Sequence, residues 1–397
     1  MSETPSSAAA RPEPAPGIVV YAVPEGKRIS LGAPSLIALP NGKLLTAFDQ
    51  SGPDVKSLAG KKGHDAKRNR WMQGRVMSSS DGGTTWHLVA TFPFRRASLF
   101  RDGGDVYLVG EASGGLCLMR SPDGGSSWSA PLELTGDLDL WLSPTSVISA
   151  DDHWLLPCLA PVGQGMGLTL WRAPKGASLM NRKAWVQGSV SPTLSQLIPA
   201  VPGAGFGVPL AGAPMAWRDP LLVKVADLQH PWHVARTLLV FTAVDSGRQH
   251  WAAMLRLSTE DWSLGPQATR DGNPWTWLPL PGGHEKFDLF YDESSGRYWL
   301  VACRGSPHSF SRRGQAAEVG LQNMGLWSSV NLLDWDFTGE VASGGGGLAG
   351  IRCDPAAAVC GRDLMIACRA GGPHTRNVRE TSQLVVTRRL DFRAGSL

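Results

Sequence analysis

Two eight-residue segments of this chain match almost residue for residue. Ser79-Ser80-Asp81-Gly82-Gly83-Thr84-Thr85-Trp86 and Ser121-Pro122-Asp123-Gly124-Gly125-Ser126-Ser127-Trp128 share the pattern S-x-D-x-G-x-[ST]-W. These residue types suit a tight turn between two strands. The Asp side chain accepts backbone N–H groups across the turn, Gly takes a positive φ, and the Trp ring wedges between neighbouring sheets. The role is structural, and no chemistry is assigned to these aspartates. Degenerate versions recur at Ala173 to Trp185, Leu257 to Trp262, Ser328 to Trp335 and Val385 to Phe392.

Between these turns lies a second repeated element, an apolar hairpin with a turn signal at its tip. Its first copy is Pro34 to Phe48, with Asn41-Gly42 at the tip; others span Ala97 to Gly110, Pro144 to Leu159, Pro220 to Ala243, Phe287 to Cys303 and Pro355 to Cys368. A hairpin plus the strand pair after it makes one four-stranded antiparallel sheet, and repetition of such sheets predicts a six-bladed β-propeller, all-β. The blades are expected at about 33–90, 96–133, 143–187, 217–266, 285–340 and 352–393 within one domain, 17–397. The strand-like Ile18 to Val23 is expected to pair into the last blade and close the ring. A seventh blade would have to lie in 187–216, whose Pro, Gly and Ser content reads as loop.

Composition agrees with this class. The chain has 397 residues, with 47 Gly, 29 Pro and only 18% charged residues, which argues against a helical bundle, a coiled coil or general disorder. Lys and Arg number 38 against 34 Asp and Glu, too small an excess to imply nucleic acid. No run approaches the roughly 20 apolar residues of a membrane helix. Met1 to Pro16 is rich in Ser, Ala, Pro and Glu and reads as a disordered tail. It lacks the basic and apolar regions of a signal peptide, so a cytoplasmic location is expected. Cys117, Cys158, Cys303, Cys353, Cys360 and Cys368 lack CxxC spacing and sit in or beside apolar runs, as buried reduced thiols rather than zinc ligands. Cys353 and Cys368 are the pair that hairpin register brings nearest. No cofactor or metal is expected, and a monomer is the default.

Propeller geometry filters the candidate site residues. In a blade whose strands run A (innermost) to D, the A–B and C–D turns share one face and the B–C and D–A connections share the other. The repeated Asp turns are C–D turns. Their face takes Asp102, Asp151, Asp152, Asp292, Glu293, Asp363, His230 and His233 out of contention. The opposite mouth of the channel is rich in arginine. Blade 1 offers Asp49, then a basic loop from Gln50 to Trp71 with Asp54, His64 and Asp65. Blade 2 offers Arg95, Arg96 and Glu111. Blade 4 offers Arg218, Asp219, Asp245, Arg248 and His250. Blade 5 offers Glu285, Arg304 and His308, and blade 6 offers Arg352, Asp354, Arg369 and His374.

Guanidinium groups bind carboxylate or sulfate bidentately and stay charged, so Arg218, Arg304, Arg352 and Arg369, with His64, are the candidate substrate-binding residues. Carboxylates at several points of the mouth suit general acid and base work on a glycosidic bond. Asp49 or Asp65 is the candidate acid, and Asp219 or Asp354 the candidate base. Arg–Asp pairs at the starts of inner strands can equally lock neighbouring blades together. Trp71 and Trp141 are candidates for stacking on a sugar face or for packing between blades.

The S-x-D-x-G-x-[ST]-W segments resemble the Asp box of the sialidase (neuraminidase) superfamily. That resemblance implies three arginines on a substrate carboxylate, a tyrosine nucleophile assisted by a glutamate, and an aspartate acid/base. The matching positions depart from this set. Gly32-Ala33-Pro34 stands where an Arg-Ile-Pro segment opens blade 1, and Asp219-Pro220 stands for the glutamate and its proline. Arg248 falls at the second arginine, Gln322-Asn323 at the third, and Arg352-Cys353-Asp354-Pro355 where the tyrosine is expected. The four tyrosines, Tyr21, Tyr107, Tyr291 and Tyr298, fall outside the mouth loops. The chain looks more like divergent bacterial sialidase-like propellers, with Asp49, Asp354, Arg369 and His374 to Asn377 at matching places. A minor echo of furanosidase propellers lies in Arg218-Asp219-Pro220 and Ser329 to Trp335.

These readings imply a carbohydrate-active enzyme, a glycoside hydrolase on a terminal acidic or polyhydroxylated sugar without the tyrosine nucleophile. Two alternatives stay open. One is a lyase on uronate glycans with His374 or His64 as base, and the other is a sugar-binding propeller without chemistry.

Overall fold

Alternation of apolar residues along short strands, punctuated by Gly, Asn and Asp turns, produces six antiparallel sheets arranged around a central channel. The computed structural model describes residues 17–32, 34–144, 147–198, 216–225, 227–243, 250–267, 277–305 and 321–395. The expected tail 1–16, Asp245, Arg248 and His308 lie outside the described residues.

Blade 2 shows the plan with the fewest additions: Arg95–Asp102, Asp105–Ala112, Gly115–Ser121 and Leu132–Glu133, ordered from the channel outward. Blade 1 adds two short strands, Ser30–Leu31 and Gly63–Asp65, on the mouth side of the central pair Leu44–Ser51 and Arg70–Ser79. The inner strand of blade 3 comes in two pieces, Trp141–Leu142 and Ile148–Ala150, both on His153–Val162. Blade 6 comprises Arg352–Cys360, Asp363–Ala370 and Gln383–Arg389, and its outermost strand is Ile18–Ala22 from the chain's start. Ile18 pairs with Val386 and Ala22 with Gln383, so first and last strands close the ring as expected. Described residues after blade 3 form a one-turn helix, Leu194–Leu197, rather than a further sheet.

Each neighbouring pair of blades encloses its own apolar core. Phe48, Leu44 and Leu36 meet Met365, Ala367 and Leu384 between blades 1 and 6, while Phe92, Phe94 and Leu45 meet Leu99 and Leu108 between blades 1 and 2. The two repeated turns seat these interfaces. Asp81 Oδ1 accepts the N–H groups of Thr84 and Thr85, both at 3.0 Å, and Trp86 Nε1 donates to Gly83 O at 3.0 Å. Asp123 repeats the pattern with Ser126 and Ser127, and Trp128 donates to Gly125 O. Gly83 and Gly125 take φ of 92° and 83°, and a Cβ there would stand 2.7 Å from Met365 of blade 6 and 2.5 Å from Leu45 of blade 1. Glycine is therefore required by backbone conformation and by the closeness of the preceding blade. In blade 5, Asn331 takes the Asp role, its Oδ1 accepting the N–H groups of Leu333 and Asp334.

No helix among the described residues is long and apolar enough to cross a membrane. All six cysteines are free thiols; Cys360 is half-buried and the other five are buried.

Candidate active site

The mouth is built by a departure from regular strand geometry repeated in alternate blades. At the start of the inner strand, Arg96 in blade 2, Asp219 in blade 4 and Asp354 in blade 6 take φ of 52°, 45° and 53°. In blades 2 and 6 the ladder register jumps there, between Arg95 and Ser98 and between Cys353 and Ala356. Such bulges redirect side chains and are common beside active sites, and a non-glycine residue at positive φ costs on the order of 1–3 kcal/mol. Asp tolerates that region better than most residues, whereas Arg96 is held there by neighbours.

All three residues line one cavity of about 580 Å³ at the channel mouth, together with Arg218, Glu285 and Arg369. Loops complete the wall with Arg68, Asp139 and Arg379, and the strand Trp141–Leu142 adds Trp141. Opposite charges pair at the mouth, two of the pairs joining different blades and the third lying within blade 6. Arg96 Nη1 lies 3.4 Å from Asp219, Arg218 Nη2 2.5 Å from Glu285, and Arg369 Nε 2.6 Å from Asp354. Arg68 bridges Asp65 and Asp139. The Arg96 guanidinium also covers the Trp141 ring, 3.3 Å from its centroid.

These environments drive the carboxyl groups apart. Burial opposes ionisation of Asp354, but Arg369, Lys286 and Arg218 outweigh it and hold that carboxyl below the ordinary range. Glu285 goes the other way: burial raises it, and Arg218 only partly compensates. Beside it, burial and the neighbouring His250 and Arg218 push His284 down to about 4, so its imidazole is neutral at pH 7. Two carboxyls with opposite shifts in one cavity are the arrangement acid–base chemistry requires.

Beneath the cavity, Asp49 is buried and its Oδ1 accepts the backbone N–H of Arg96 at 2.8 Å. Burial raises Asp49 despite that bond and the nearby Arg95, Arg96 and Arg369. Its carboxyl also occupies the space beside Gly32, where a Cβ would stand 2.4 Å from Oδ1. A side chain at position 32 is therefore incompatible with Asp49 where it stands. Arg95 and Glu111 form a further buried pair at 2.8 Å.

Of the residues singled out from the sequence, Asp219, Asp354, Arg218 and Arg369 are brought together here. Asp49 lies one layer below. Asp65 is buried and anchors Arg68 rather than lining the cavity; Arg68 outweighs burial and holds its carboxyl low. His64 is exposed and its ring lies tilted against Trp71, with centroids 4.7 Å apart. His374 lines a separate depression with Arg28 and Glu380. Arg304 lines another cavity and pairs with Glu340. Arg352 turns to the backbone oxygen of Ile351 at 2.7 Å. None of these last four lines the central cavity.

Arg96 and Glu285 were expected at the mouth without an assigned role, whereas Arg68, Asp139 and Arg379 were not singled out. Arg96 was detectable, because Arg95-Arg96-Ala97 aligns with Arg218-Asp219-Pro220 and Cys353-Asp354-Pro355 at the same strand start. Asp139 and Arg379 come from loops without a motif and left no such signal. None of the four tyrosines lines the cavity. Among the described residues no group of His, Cys, Asp and Glu is placed to hold a metal ion.

No family model and no curated protein matches the chain. Solved structures do match over nearly its whole length. A protein of unknown function from Dyadobacter fermentans aligns with TM-score 0.58 and 14% identity, covering 95% of this chain and 99% of that one. The Penicillium chrysogenum alpha-L-arabinanase complexed with arabinobiose aligns with TM-score 0.54 and 13% identity over 96% and 99%. The NanB sialidase from Streptococcus pneumoniae aligns with TM-score 0.55 and 11% identity over 94% and 70%. At such identities the likeness is one of fold alone, the β-propeller.

Proposed function

We propose that the chain is a glycoside hydrolase acting on a terminal acidic or polyhydroxylated sugar held in the mouth cavity. One observation carries this reading. Three strained inner-strand starts converge to place Arg96, Asp219 and Asp354 around a single cavity that also holds Glu285. In this reading Asp354, held below the ordinary carboxylate range, acts as base or nucleophile, and Glu285, raised by burial, acts as acid. Asp65 is paired to Arg68 and Asp49 lies beneath the cavity, so both act through the arginines they hold. The sialidase and arabinanase among the structural neighbours are carbohydrate-active proteins on this fold, which agrees with the reading without fixing a substrate. With all four tyrosines elsewhere, the chemistry runs through carboxylates.

A specific observation favours a second reading. Asp139, Asp219, Glu285 and Asp354 each already face an arginine, as they would in a binding propeller locked by ion pairs. Turnover separates the two. Wild type is assayed beside Asp354→Asn and Glu285→Gln on sialosides, uronides and arabinosides, with aryl leaving groups and as oligosaccharides. Loss of turnover in folded variants supports the hydrolase. Binding without product from wild type on every substrate supports the sugar-binding propeller.

A further inference from the structure

Arg304 lies in a second cavity, of about 720 Å³, between blade 4 and the outer part of blade 5. Its walls are the rings of Trp327, Trp335 and Phe337, and its polar end is Arg304, Gln322 and Asn323. The Arg304 guanidinium lies 5.0 Å from the centroid of Phe337 and pairs with Glu340. Aromatic walls with a few fixed polar groups are the usual make-up of an organic ligand site.

The cleft and the mouth are neighbours at two points. Leu321 lines the mouth cavity, and the next residues, Gln322 and Asn323, line the cleft. On the other side, His250 lines the cleft, and its backbone N–H donates to His284 Nδ1 at 3.3 Å, next to Glu285 of the mouth. The faces of a sugar ring suit the aromatic walls of Trp327, Trp335 and Phe337, and its hydroxyls suit the polar end at Arg304, Gln322 and Asn323.

We propose that the cleft holds the further sugar residues of an oligosaccharide whose terminal residue occupies the mouth, an inference that rests on the mouth being a terminal-sugar site. It predicts recognition of chains rather than of single sugars. The test is a titration by tryptophan fluorescence, using sialyllactose, arabino-oligosaccharides and oligogalacturonates with their monosaccharides, alongside turnover of the matching aryl glycosides. In the recognised series, affinity is expected to rise about tenfold or more from one sugar to three. Trp335→Ala removes that gain and Trp335→Phe removes part of it, while aryl-glycoside turnover stays within about twofold of wild type. If Trp335→Ala does not fold, the double variant Gln322→Ala, Asn323→Ala carries the same comparison at the polar end.

The proposal is overturned if wild type shows no gain with chain length, if the gain persists in the variants, or if no oligosaccharide binds. The hydrolase reading fails separately. Tighter binding of longer chains, lost in the cleft variants but accompanied by no turnover, upholds the cleft and removes the chemistry. Turnover that needs Asp354 but ignores chain length does the reverse.

Discussion

Arg369 Nε donates to Asp354 at 2.6 Å, while its Nη1 donates to the backbone oxygens of Leu31 and Arg379, both at 3.1 Å. The guanidinium thus ties blade 6 to the segment opening blade 1 and fixes Asp354 in the same act. Each partner's side chain is only 14% exposed, so the pair sits where removing one member leaves the other costly.

Asp354→Asn keeps the shape and removes the charge. Turnover is expected to fall by about a hundredfold or more. Stability is expected to drop by about 3 kcal/mol or more, because Arg369 loses its counter-charge. Arg369→Met asks a different question. The Asp354 carboxyl lies below its ordinary value of 3.8, so its ionised form stabilises the fold above that pH, and the contribution is lost as pH falls through the lower folded value. Without Arg369 the carboxyl rises, and the acid limb of kcat/KM moves to higher pH. An acid limb that stays in place would remove Asp354 from the assignment.

Asp49 shows the opposite linkage. Its folded value is raised by burial, so stability associated with the protonated form is present below the ordinary value of 3.8 and lost as pH rises through the folded value. Asp49→Asn keeps an acceptor for the Arg96 N–H and cannot ionise. Thermal melts across pH 3 to 8 are expected to show wild type losing stability relative to Asp49→Asn as pH rises. A constant difference would mean Asp49 does not titrate in that window. Gly32→Ala places a methyl 2.4 Å from the Asp49 Oδ1. It is expected to cost about 1–3 kcal/mol through overpacking, and to lower turnover by shifting Arg96.

The architecture was legible because it is periodic: a turn with Asp, Gly and Trp at fixed offsets is written in full in blades 1 and 2 and in degenerate form in the others. The site was legible only where it shares that periodicity. Asp219 and Asp354 each stand directly before a proline at the start of an inner strand, and Arg369 ends an apolar strand. Arg379 and Asp139 sit in loops whose course is set by packing between distant segments, and no local pattern encodes it. Arg304 and His374 follow strands just as Arg369 does, yet they line other cavities, and no local pattern separates the three.

Asp81 and Asp123 serve as internal controls. Each carboxylate accepts two backbone N–H groups and a hydroxyl from the residues after it, and those bonds hold both below the ordinary Asp range. Asp81→Ala and Asp123→Ala are expected to lower the melting temperature and leave kcat/KM of the folded enzyme unchanged. A selective fall in kcat at full folding would show that these turns reach the mouth.

Thiol reactivity separates the cysteines by burial. Burial pushes Cys117 up to about 11 and Cys368 up to about 12, and it raises Cys158, Cys303 and Cys353 as well. Cys360 is the half-buried one. Titration of native protein with an aromatic disulfide at pH 8 is expected to modify Cys360 alone, and unfolding in guanidinium to release the other five. Rapid native modification of Cys353 would mean that the floor of the mouth cavity opens in solution.

Arg379 decides whether the substrate is charged. Of the five cavity arginines it is the one without an ion pair among the described residues; Arg68, Arg96, Arg218 and Arg369 are each committed to a carboxylate. A substrate carboxylate entering the mouth therefore finds one guanidinium that is near Glu285 but not held in an ion pair among the described residues. A charge-assisted hydrogen bond of this kind contributes about 1.5–3 kcal/mol, or roughly tenfold to a hundredfold in affinity. Arg379→Ala is expected to raise KM for an acidic aryl glycoside by that factor and to leave KM for a neutral one within about twofold. Equal losses on both would place Arg379 among the residues that shape the cavity. No loss on either would leave the four paired arginines to hold the sugar, and would point to a neutral, polyhydroxylated substrate.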